Sequence, residues 1–402
     1  MFNIFYLYAL VWSFIFAFYL LNWSDLCEKL NFILILFLIY VIILSCVLGY
    51  RSKNFTENKN IHFKKNYSRK TTFVILIFFV IEFVINRKIP LIDVILGFSY
   101  QDTEFYTIPI IHNFFSAYAI FYSIYIVYYY AHTKEKRLIF DYVLLVCVFA
   151  LLVQRQYVFM DVVLMMYLLF SLNISRKKVF TNAKSIVLTF VTLLVVLYIF
   201  GIAGNARYGN LWKWSDSSMI MKLGKINNNF PTFIPDPYAW SYIYIVSPLA
   251  NLNYNISMKN KNFSVLGWIG EYVPQFIKMR IPIFPKAELK LQVNSLNVLT
   301  EFAGSYYFAG FLGMFMIVTV HLGICYFILK QAYRRKNEIY CIINTAMFYY
   351  LVLSVFDNSF IFSITSLIAI YSMFCVGKYK FCYRGTNGKK TVGLLPDMRE
   401  NK

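Results

Sequence analysis

Two stretches, GIAGNARYGN at residues 201–210 and VNSLNVLTEFAGSYYFAG at residues 293–310, bound the longest part of this chain that is neither a hydrophobic run nor a short basic loop. Between them lie Trp212, Trp214, Arg207, Arg280 and scattered prolines. On either side the sequence is a succession of apolar runs. This contrast predicts a large extracytoplasmic segment set into a membrane scaffold, and the rest of the chain is arranged around it.

The 402 residues are 59% hydrophobic, 20% aromatic and 14% charged, with a mean hydropathy of +0.58, which excludes an ordinary soluble domain. We expect an all-α polytopic integral membrane protein. A window of about 20 apolar residues per span places spans near 2–21, 30–49, 71–86, 108–130, 139–154, 157–172, 185–203, 303–329, 340–356 and 359–377, about ten in all. The expected organisation is an N-terminal membrane bundle over 1–203, the large outer loop over 204–302, a C-terminal bundle over 303–377 and a basic cytoplasmic tail over 378–402. The first run, Phe2 to Leu21, has no basic residues before it and no small-residue cleavage pattern after it, so it reads as a retained span.

The net charge of +20 does not point to nucleic acid, because the basic residues collect in short loops between apolar runs. Segments 51–70, 132–138, 173–184, 330–338 and 378–402 hold 25 of the 39 lysines and arginines. They fall on alternate connections, which places both termini in the cytoplasm by the positive-inside rule. Gln154, Arg155 and Gln156 then form a tight outer hairpin with the arginine at its tip. Within the long loop, residues 237–254 (PYAWSYIYIVSPLANLNY) are aromatic and broken by Pro248, which suits an interfacial or re-entrant segment. Most of the seven cysteines fall inside apolar runs, leaving Cys27 alone outside and no disulfide framework.

Ionisable groups at membrane depth are costly and are candidates for function. Glu82, near the outer end of the third span, pairs with Arg87 or Lys88, or acts chemically. Asp161 in the sixth span poses the same alternatives. His112 opens the fourth span and Glu301 precedes the eighth; each is a helix-start residue or a general base. Arg155, Arg207 and Arg280 all map to the outer boundary, where an arginine is an interfacial anchor or part of an anion site, since guanidinium binds phosphate bidentately and keeps its charge. GNARYG at 204–209 offers backbone freedom beside Arg207, or a helix C-cap. Asp102 and Glu104 form a close acidic pair, too few ligands to define a metal site. Trp212, Trp214, Trp240 and Trp268 are interface anchors or sugar-stacking platforms. No P-loop, H-E-x-x-H, paired CxxC or G-x-S-x-G occurs, so nucleotide hydrolysis, zinc proteolysis and serine hydrolysis have no support, and no cofactor or metal is called for.

Taken in order, IEFVINRKIPLIDVI, EFYTIPIIHNFFSAY, Arg155 in its hairpin, GNARYGN, YIYIVSPLANLN and LTEFAGSYYFAGFLGMF resemble the Wzy-type O-antigen and capsule polymerases, the oligosaccharide repeat unit polymerases. The resemblance covers most of the chain in order and topology, with loose individual motifs. It implies a membrane glycosyltransferase of the bacterial plasma (inner) membrane that joins undecaprenyl-diphosphate-linked oligosaccharides at the outer face, among membrane lipids and with a chain-length regulator protein as partner. It carries Glu82, His112 and Glu301 over as catalytic candidates and Arg155, Arg207 and Arg280 as diphosphate-binding candidates. The alternatives are an O-antigen ligase and a lipid-linked saccharide flippase or transporter. A membrane acyltransferase lacks a convincing central histidine, since His321 has no acidic partner close in sequence.

Overall fold

The computed structural model describes residues 3–55, 69–95, 105–175 except 106 and 109, 216–334 and 340–378, together with part of 187–205. These residues are helical with no strand element; the one β-bridge among them joins Ser24 to Ile226. Three of the helices are long and apolar enough to cross a membrane: α2 (Phe32–Arg51), α5 (Ile111–Thr133) and α12 (Phe302–Arg334). Shorter apolar helices pack around them, among them α1 (Ile4–Leu20), α7 (Arg155–Ser175), α13 (Tyr340–Leu353) and α14 (Ser363–Lys378). The remaining elements are α3 (Arg69–Asn86), α4 (Pro90–Ile95), α6 (Lys136–Leu151), α8 (Ser218–Leu223), α9 (Tyr238–Ser257), α10 (Val265–Gly270) and α11 (Gln275–Lys278).

The helices bury one side and leave large apolar side chains bare on the other. On α2, Phe32, Leu36, Ile39, Ile43 and Val47 recur every three to four residues along an exposed stripe. On α3, Phe73, Ile77, Val80 and Val84 do the same. An apolar face of this length has no stable place against water, and lipid is the solvent that suits it. In such a solvent helices associate through packing and interhelical hydrogen bonds rather than through loss of apolar surface. Phe37 of α2 accordingly wedges edge-on between Phe302 and Phe315, at 4.8 and 5.2 Å. Bonds between helices include Asn344 to Tyr167 and Ser123 to Asp161, and Tyr8 of α1 bonds Ser354 just past α13, each contributing about 0.6 kcal/mol and at most about 2.

α1 and α2 form a hairpin, closed at its start where Asn3 donates to the Gly49 carbonyl and the Ser52 hydroxyl. α5 is sheathed by α6, α7, α13 and α14. α6 and α7 are separate helices that reverse over Leu152–Gln154, with Val153 at a φ of 58°. Arg155 is thus the first residue of α7 rather than the tip of the turn.

Two segments differ from the sequence expectation. Pro248 does not break residues 237–254, for α9 runs through it from Tyr238 to Ser257. Proline fits because the helix is buried on nearly all sides and packing outweighs the lost backbone bond. α9 crosses the C-terminal end of α1: Tyr242 meets Phe18 and Trp23, and about three turns later Asn253 meets Lys29 and Asn31.

The second difference is at 303–329, expected as one span. Gly310 has φ 61° and ψ −153°, a conformation essentially confined to glycine, and it divides α12 into two helices, 302–309 and 311–334. Twenty helical residues span roughly 30 Å, yet the Glu301 and His321 side chains are 2.6 Å apart. The chain therefore doubles back. Gly313 permits the close return, since a Cβ there would lie 2.4 Å from the Ser305 carbonyl oxygen. The open carbonyls of the first arm are satisfied from outside: Tyr307 and Phe308 accept the backbone N–H groups of Asn262 and Ser264.

A candidate acid–base site at the ends of three helices

Glu82 lies one turn before the end of α3, His112 is the second residue of α5, and Gln154 immediately precedes α7. Three helix ends thus bring three polar side chains together. Nδ1 of His112 is 2.8 Å from Oε2 of Glu82, and Oε1 of Glu82 accepts the Ile108 N–H at 3.1 Å. The other imidazole nitrogen, Nε2, faces the Gln154 amide nitrogen at 3.4 Å. One tautomer satisfies all three contacts: Nδ1–H donates to the carboxylate while the Nε2 lone pair receives the amide N–H. Phe79 stands edge-on to the ring at 6.0 Å. Glu82 is fully buried and His112 is 6% exposed. A buried carboxylate that holds Nδ1 and leaves Nε2 to a single amide contact is the arrangement of a general base with its orienting partner. Glu82 therefore pairs with His112, not with Arg87 or Lys88 as one sequence reading had it.

Arg280 follows α11 and is exposed, its guanidinium donating to the Phe276 carbonyl at 2.8 Å. Phe276 packs on Phe114, two residues beyond His112, with ring centroids 6.0 Å apart. Arg155 starts α7, next to Gln154; its side chain lies outside the described residues, as does Arg207 altogether. Two of the three arginine positions thus flank the start of α5. Asp102, Glu104, Trp212 and Trp214 also lie outside the described residues.

Glu301 is not beside His112. Its Oε2 receives Nδ1 of His321, and both residues are wholly buried. The sequence reading dismissed His321 for want of an acidic neighbour; the fold supplies one by reversing the chain at Gly310. The signal available was the pair of glycines in FAGFLG. Glu271 was also missed: it is buried against Gly304, accepts from Asn358 at 3.1 Å and pairs with Lys278 at 3.5 Å. Burial pushes its carboxyl above the ordinary carboxylate range, against the opposing pull of Lys278. Asp161 is buried and bonded to Ser123. Trp240, 3% exposed, donates to Asn205 at 2.7 Å and so neither anchors an interface nor presents a sugar platform.

Comparison with family models, curated proteins and solved structures gives no match to this chain.

Proposed function

We propose that this chain is a membrane glycosyltransferase that polymerises undecaprenyl-diphosphate-linked oligosaccharide repeat units at the outer face of a bacterial plasma membrane. The observation that carries the proposal is the Glu82–His112 pair, set at helix ends with Nε2 directed to a lone amide. In this reading Nε2 of His112 takes the proton of the acceptor sugar hydroxyl while the oxygen attacks the anomeric carbon of the lipid-linked chain. The bond from that carbon to the diphosphate breaks. Arg280 and Arg155 stabilise the departing diphosphate, a task guanidinium performs without a metal. Glu82 holds the imidazole in the required tautomer and offsets its charge as the proton arrives.

The O-antigen ligase and the flippase remain the competing readings. They are separated by the glycan ladder of a strain lacking this chain, complemented with wild type or with Arg155→Ala, Arg207→Ala or Arg280→Ala at equal abundance. Polymerisation predicts single-repeat glycans in the deletion strain and no restored ladder with the arginine variants. Long polymers that never reach the surface lipid favour the ligase, and unpolymerised units facing the cytoplasm favour the flippase.

A further inference from the structure

The Glu301–His321 pair takes no part in the chemistry proposed above. It lies on other helices, with Phe79, Phe149, Tyr157, Phe362 and Phe360 between it and His112. The first arm of the hairpin carries Glu301 into the bundle, where its N–H donates to the Ser354 carbonyl at 3.0 Å. Tyr350 and Phe360 enclose the imidazole at 4.3 and 5.3 Å. Each member of the pair keeps one polar atom without a protein partner: Oε1 of Glu301 and Nε2 of His321. The same holds for the hydroxyls of Thr300, Ser305 and Tyr272.

Buried polar atoms left bare cost about 1–3 kcal/mol each, more for charged groups. Five of them around one ion pair do not persist in a dry interior. Water is small enough, and both donor and acceptor enough, to satisfy them together. Tyr272, half-buried, stands next to them. Tyr272 packs on Phe360 at 5.2 Å and is the residue after Glu271, which Lys278 and Asn358 hold; Arg280 beyond them is exposed.

We propose that Glu301 and His321 form a second, buried acid–base site that is filled by water and exchanges protons with the outer face past Tyr272 and Glu271. The proton comes from water at that face, resides on Nε2 of His321 beside the Glu301 carboxylate, and returns the same way, so no other reactant is consumed. The titratable groups facing Glu301 are Tyr8 from α1, Cys325 from the return arm, Tyr350 from α13 and Tyr272, with Glu271 next to Tyr272 in the chain, held by Lys278 and accompanied by Asp357. Lys278 is the one cation in that group among the described residues, and Glu271 holds it.

The test is nitrogen-15 magnetic resonance of histidine-labelled full-length protein in lipid nanodiscs. The chain has four histidines, and His321→Asn identifies the signal. The result expected is an His321 N–H that is lost within minutes in D2O. Tyr272→Phe, which removes one hydroxyl and little volume, slows that loss by about tenfold or more as a relay member should. Should His321→Asn fail to fold, Glu301→Gln serves instead, since it alters the group in contact with Nδ1 of His321 and so shifts that signal. An His321 N–H that survives for days overturns the proposal. So does an exchange rate that Tyr272→Phe leaves unaltered, which would remove the route.

Discussion

His112 Nδ1 lies 2.8 Å from Glu82 Oε2, a contact between the start of one helix and the end of another that a separation of thirty positions in the chain does not suggest. Because the carboxylate is wholly buried, its removal and its orphaning have different consequences. His112→Ala leaves Glu82 with the Ile108 N–H alone, and we expect loss of transfer together with a stability cost of about 1–3 kcal/mol. Glu82→Gln keeps the volume and a hydrogen bond but not the charge, and should slow transfer by about 10²- to 10⁴-fold. Turnover measured beside thermal unfolding in detergent separates the two effects.

Gly310 and Gly313 make the α12 hairpin. Gly310→Ala places a side chain at φ 61°, ψ −153° and should destabilise the protein by about 1–3 kcal/mol. Gly313→Ala meets the Ser305 carbonyl and the Ala309 side chain and should do the same. Gly323 lies on the return arm with open space around it, so Gly323→Ala is expected to be neutral or slightly stabilising. Equal behaviour of the three variants in a thermal unfolding series would contradict the hairpin.

Asn251 ties residues 292–298 to α9. Its amide donates to the Leu296 and Val298 carbonyls and its oxygen accepts the Gln292 N–H. Asn251→Ala bares three backbone groups at once. We expect limited proteolysis to begin within 290–298 in that variant while the helices remain protected, and wild-type protein to resist cleavage there.

Glu271 makes the fold sensitive to pH in a definite direction. Its carboxyl in the folded protein titrates above the ordinary carboxylate range because it is buried. The folded state therefore binds this proton more tightly than the unfolded chain does. The associated stability is present in full below the unfolded pKa of about 4.3 and is lost as pH rises through the folded value. Unfolding temperatures should fall over that interval in wild type and fall less in Glu271→Gln.

How much of this was legible in the sequence follows from range. The helical membrane scaffold could be read because apolar runs and basic loops are local signals, and the separate α6 and α7 because the turn between them is short. Glu82 and His112 could be named singly, since an ionisable group in an apolar run stands out by itself. Their pairing could not, because it depends on how α3 and α5 meet. Glu301 and His321 were misread for the same reason in sharper form: one glycine, Gly310, reverses the chain and turns a separation of twenty residues into a contact. The asparagines of NLNYN at 251–255 carry no local signal of their role, for their partners lie far off in the chain: Asn251 and Asn255 bind the backbone at Leu296 and Lys290, and Asn253 that of Lys29.

The most direct test of the polymerase reading is transfer in vitro. Purified full-length protein in lipid vesicles is supplied with lipid-diphosphate-linked repeat units extracted from a host strain lacking it, and products are followed by mass. The account predicts dimers and longer chains with release of the lipid diphosphate, and none with His112→Ala protein of unchanged fold. Undiminished polymerisation by His112→Ala, or no joining of repeat units by a folded wild-type protein, would contradict it.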